Sequence, residues 1–203
     1  MGCLGIGSGL TAGASSYYKL NIVDCNTNNL NKTPMKKVIL TFFAFCVFAL
    51  VSAQEKPMHE IHSAMLYNFI KYVQWPNEGD GGDFVVGVMG DDDVFNTLKQ
   101  WYDGKPKGSK KYVIKKLSAA ADAASCAVIY LGKGKSNQFE DIKGAIAGKP
   151  VLTITNGNGL AQKGSCINFK VIDGKLKFEM NQATFGSNNL KVSSQLSSMA
   201  IMI

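Results

Sequence analysis

The chain has 203 residues, 22 lysines and no arginine, against 15 acids, for a net charge of +7. Arginine is the preferred bidentate ligand for phosphate and guanine, so its absence argues against a nucleic-acid binder despite the basic balance. The length excludes several ordinary domains, and a lysine-only surface suits solubility or an acidic partner.

Residues 1–34 contain one acid, two lysines and many Gly, Ser and Asn residues, with no sustained apolar period. They are expected to be a non-native upstream extension or a disordered tail, outside the fold. Met35-Lys36-Lys37 opens a basic segment, Val38–Leu50 is apolar, and Val51-Ser52-Ala53 has the small-x-small form of a cleavage site. Residues 35–53 therefore read as a secretory signal peptide cut between Ala53 and Gln54. Val38–Ala53 would make a helix of roughly 24 Å, short of the ~30 Å hydrocarbon core. Lys19, Lys32, Lys36 and Lys37 all precede the run, so the remainder is expected in the periplasm. That leaves residues 54–203 as one domain, with 18 lysines against 14 acids.

Pro57–Gln74 is the opening helix, with Met65, Phe69, Ile70 and Val73 expected to be buried against a sheet. Pro76 disfavours helix in the residue before it, so the helix must stop by Gln74–Trp75, and Trp75 should lock the exit. Phe84–Met89 reads as a buried strand. Asp91-Asp92-Asp93 then opens a helix over Val94–Tyr102, where an Asp cluster caps free N–H groups. Tyr112–Leu117 is an edge strand tolerating Lys115 and Lys116. Ser118–Ser125 is a small-residue connection, and Cys126–Leu131 a central parallel strand. Asn137–Ala147 is a helix, with Asn137 and Glu140 at capping-box spacing and Gly148 as its stop. Val151–Thr155 is a strand and Asn156–Gly159 a turn.

Asp173-Gly174 is a favoured two-residue hairpin turn. It pairs Val171 with Leu176, Phe169 with Phe178, and Ile167 with Met180 on an apolar face. Asn168 faces Glu179, and Lys170 faces Lys177, on a polar side that also holds Cys166. Asn181–Ser187 and Leu190–Ile203 look helical, the latter with a stripe of Val192, Leu196, Met199 and Ile203. The fold class is α/β: a single three-layer domain with a mixed, mostly parallel sheet, a C-terminal β-hairpin and flanking helices.

No constellation of catalytic residues emerges, so no enzyme activity and no cofactor are assigned. Gly134-Lys135-Ser136 lacks the earlier glycine of a phosphate loop, because Ile129 occupies that position. His59 and His62 lie three apart but fall one residue short of a zinc-protease pattern, and read as solvated helix residues rather than metal ligands. Cys126 and Cys166 form an even pair in an oxidising compartment, which permits a disulfide, but sequence does not show that they meet. Six lysines in Lys105–Lys116 make a solvated edge or a docking patch for an acidic partner.

Several landmarks occur in order: A-M-L-Y-N-F-I-K-Y-V-Q-W-P, V-G-V-M-G-D-D, S-C-A-V-I-Y-L, K-P-V-L-T-I-T, I-N-F-K-V-I-D-G-K-L-K-F-E-M-N and L-K-V-S-S-Q-L. Together they resemble the YfiR-like family of exported proteins. The resemblance implies a periplasmic regulatory domain without known catalysis. It would bind the exported part of an inner-membrane signalling protein, a diguanylate cyclase or sensor kinase, and so tune cyclic di-GMP and biofilm formation. Two further readings stay open: a homodimer, and a periplasmic small-molecule-binding module with its crevice in the loops after Met89 and Leu131.

Overall fold

The computed structural model describes residues 56–76, 79 and 82–203. The expected extension, signal peptide and Ala53–Gln54 cleavage point lie outside the described residues.

Helix α1 (Met58–Tyr72) follows Pro57, whose carbonyl accepts from the amides of Glu60 and Ile61. Its buried face is His62, Ser63, Leu66, Phe69 and Ile70, while Met65 is half-buried. Leu66 is fully enclosed, and Leu66→Ala would cost about 2–5 kcal/mol. The helix ends two residues before the expected limit. Val73 and Gln74 instead form β1, a short bridge antiparallel to β9 (Lys191–Val192). Trp75 closes the exit as expected. It is buried, its Nε1 donates to the Ala127 carbonyl at 3.2 Å, and its ring meets Phe84 edge-on at 4.9 Å.

The main sheet has eight strands in the order β10-β8-β7-β6-β5-β2-β4-β3. At its centre β2 (Gly82–Met89) lies parallel to both β4 (Lys110–Lys116) and β5 (Val128–Leu131). Strand β6 (Leu152–Thr155) is parallel to β5, and β7 (Ile167–Ile172) to β6. Two antiparallel pairs make the sheet mixed: β7 with β8 (Lys175–Met180), and β4 with β3 (Pro106–Lys107). The hairpin register is the one its turn dictates, with Asn168 opposite Glu179 and Phe169 opposite Phe178.

Period-2 alternation builds a core on each face of the sheet. Val86, Val88, Val128, Tyr130, Ile154 and Phe169 face α1 and α2 (Asp92–Tyr102). Met89, Ile129 and Leu131 face α3 (Phe139–Ala145), which contributes Phe139 and Ile142. The result is the expected three-layer α/β arrangement.

Three local expectations are corrected. The segment before α3 is a 3₁₀ stretch, Lys133–Gln138, so α3 begins at Phe139 behind Gln138 and the Asn137–Glu140 capping box does not form. Leu190–Ile203 is not one helix. Past α4 (Gln182–Ser187), Ser193 accepts from the Leu196 amide and starts α5 (Ser194–Met199), which β9 precedes and β10 (Ile201–Met202) follows, β10 pairing parallel to β8. Only Leu196 of the expected stripe is fully buried. Cys166 belongs to the core beneath α1 rather than to a polar face, because it precedes β7 and the strand alternation does not reach it. Cys126 and Cys166, the pair left open by the sequence, are free, buried thiols in separate cores, with β6 between the strands they precede.

Candidate functional site

Strand order places a topological switch point between β2 and β5. The chain leaves β2 toward α2 on one face and leaves β5 toward α3 on the other, an arrangement that commonly opens a ligand crevice. Here it is packed shut. A Cβ on Gly132 would lie 2.6 Å from the Gly90 carbonyl oxygen, and one on Gly90 would lie 2.7 Å from Lys135 Cγ. Both positions therefore require glycine because the two loops touch.

Beneath this closed point lies a buried polar chain. Asp91 caps α2, its Oδ1 accepting from the Val94 amide at 3.1 Å. Its Oδ2 accepts from the Tyr130 hydroxyl at 3.3 Å. The same hydroxyl lies 3.2 Å from His62 Nδ1. A hydroxyl has one proton, so with Tyr130 donating to Asp91, His62 donates through Nδ1–H. The imidazole also stacks on Phe169 at 4.4 Å. Burial pushes the His62 pKa down, partly offset by Asp91, and burial pushes the Tyr130 phenol well up. His62 is thus a neutral core residue at neutral pH, which corrects its reading as solvated. It ties α1 to β5 and, through Tyr130, to the start of α2.

An open cleft lies beside this chain. Strand β7 runs on past Thr155, the last residue of β6, and the exposed flank of β7 becomes a wall. The cleft, about 560 Å³, is lined by Lys133 on one side, the Asn156–Gly159 turn on another, and Asn168, Lys170 and Glu179. Its floor is a polar network that the hairpin register builds. Asn168 Oδ1 accepts from the Thr155 hydroxyl at 2.8 Å and the Gly157 amide at 3.2 Å, while Nδ2 donates to Glu179 Oε2 at 3.1 Å. Lys170 Nζ meets Glu179 Oε1 at 2.5 Å. Burial alone would raise the Glu179 pKa, but hydrogen bonds from Lys170 and Asn168 outweigh it and hold the carboxyl below its usual range.

A second cavity, about 300 Å³, opens at the amino ends of the same strands between Trp75, Phe84, Lys110, Cys126 and Lys149. Lys107 Nζ lies over two of its lining rings, 5.1 Å from Trp75 and 4.5 Å from Phe84. Burial raises the pKa of both Cys126 and Cys166, so neither thiol is activated. Ser136 donates to the Lys133 carbonyl at 2.8 Å, so Gly134-Lys135-Ser136 lies in a surface 3₁₀ stretch with its hydroxyl already engaged. Among the described residues no cluster of three or more His, Cys, Asp or Glu could hold a metal ion.

Asn168 and Glu179 were readable as an opposed pair, but as a solvated one. Residues 160–165 cover their side, and no local pattern signals it. There Leu160 and Ala161 are buried, and the Ala161 carbonyl accepts from Asn181.

Fold and site together define a class: a three-layer α/β domain with a polar cleft at the carboxyl edge of a mixed sheet. The family model described as YfiR/HmsC-like matches residues 59–201, and the chain belongs to that family. Membership implies a regulatory role of the YfiR type, in a family not known for enzymes. No curated protein matches the chain.

Proposed function

We propose that this protein is exported to the periplasm, binds the periplasmic part of an inner-membrane signalling protein, a diguanylate cyclase or sensor kinase, and modulates its output. The observation that carries this reading is family membership across residues 59–201. The signal-like segment at residues 35–53 supports export. The edge formed by β3 and β4 supports docking. Lys105, Lys111, Lys115 and Lys116 are exposed along it, and the Lys116–Asp92 ion pair on it, at 2.7 Å, is itself solvated. Such an edge would speed encounter with an acidic surface. Deleting the gene and measuring cellular cyclic di-GMP tests the cyclase form of the reading. A changed level, restored by the full chain but not by a chain lacking residues 35–53, is expected. An unchanged level, together with unchanged autophosphorylation of membrane sensor kinases, would remove the regulatory claim.

A further inference from the structure

We propose that the cleft beside Asn168 and Glu179 binds a small sugar acid, a monoanion carrying vicinal hydroxyls. The sheet face beneath it changes character along its width. At β2 and β5 that face is Met89, Ile129 and Leu131; at β6 to β8 it is Thr153, Thr155, Asn168 and Glu179, each no more than 3% exposed. Well-packed apolar side chains would stabilise the fold at least as well as a buried ion pair, so packing does not account for the polar set. Of that set Asn168 and Glu179 line the cleft of about 560 Å³, and polar groups converging on such a cleft are what a small-ligand site requires.

The groups present select the ligand. A carboxylate offers about four acceptor positions, and on Glu179 Lys170, Asn168 and Gln162 occupy three of them. The remaining position accepts from one hydroxyl at the cleft floor. Asn156 is engaged with Tyr130, so the exposed carboxamide of Asn158 adds the paired donor and acceptor, which match two adjacent hydroxyls. Lys133 is exposed at the rim and makes no ion pair among the described residues, whereas Lys170 is already matched by Glu179. One uncompensated lysine suits one negative charge. A phosphorylated ligand fits less well. The Gly157 amide is committed to Asn168, and the buried Glu179 carboxylate repels a multiply charged anion.

Galacturonate and glucuronate are the probes, with galactose and acetate as controls at equal concentration. The readouts are calorimetric binding and thermal unfolding of the purified protein obtained by expressing the full chain. A uronate is expected to bind and raise Tm, with neither control doing so. Lys133→Met should weaken uronate binding about tenfold or more, and so should Glu179→Gln. Should Glu179→Gln fail to fold, Asn158→Ala, at an exposed position, is expected to weaken binding instead. Absence of uronate binding, equal binding of acetate, or full affinity in Lys133→Met would each overturn the proposal. The assay contains no membrane protein, so its failure leaves the docking reading standing.

Discussion

Asn168 and Glu179 face each other across the hairpin, both almost wholly buried and joined by a 3.1 Å hydrogen bond from Nδ2 to Oε2. The amide is fully committed: its oxygen receives Thr155 and Gly157, so its nitrogen must point at the carboxylate. Asn168→Ala leaves the Gly157 amide without its side-chain acceptor and removes one of the donors to Glu179, at a cost of about 2–3 kcal/mol. Asn168→Asp should cost more at neutral pH, because it sets two carboxylates against each other in a buried site. Urea unfolding of the two variants would check the order, and equal midpoints would contradict it.

Acid should weaken the fold in two windows. His62 has a folded pKa below its ordinary 6.5, so the stability it contributes is complete above 6.5 and is lost as pH falls through the lower folded value. Glu179 is likewise depressed, from 4.5, and its contribution is complete above 4.5 and lost below the folded value. His62→Phe should flatten the upper window and leave the lower one. Tm measured against pH for both proteins gives the answer, and identical curves would discount the His62 assignment.

Trp75 closes α1 by packing and by one hydrogen bond to Ala127. Trp75→Phe should cost about 1–2 kcal/mol, and Trp75→Ala about 3–5 kcal/mol. Denaturant midpoints test the series. A Trp75→Ala cost below about 1 kcal/mol would mean that the exit is held elsewhere.

Cys126 and Cys166 should alkylate slowly in the native protein and fast once it is unfolded, with no dependence on prior reduction. Peptide mass spectrometry assigns each thiol separately. A bonded Cys126–Cys166 peptide from freshly isolated protein would contradict the free-thiol arrangement.

Much of this fold can be read from the residues. Apolar runs between turn signals locate β2, β5 and β6, and Asp173-Gly174 sets the β7–β8 register, because in those places local preference and burial agree. The C-terminal segment is harder. Val192, Leu196, Met199 and Ile203 have helical spacing, yet Val192 and Met202 sit in two-residue bridges to β1 and β8. Pairings with strands that distant are tertiary and leave no local mark. The site was obscured in the same way. His62, Asn168 and Glu179 are polar residues that sequence places in water, and only packing against Phe169, Tyr130 and residues 160–165 buries them. The cleft, in turn, depends on β7 outrunning β6, a difference in strand length that periodicity does not fix.

The most direct test is capture of membrane partners. A tagged full chain would be expressed in its native cells, cross-linked in intact cells, and its partners identified by mass spectrometry. The account predicts enrichment of a membrane cyclase or sensor kinase with a periplasmic domain, reduced when Lys111, Lys115 and Lys116 are changed to Gln. Enrichment of neither class would contradict the claim that this protein regulates a membrane signalling enzyme.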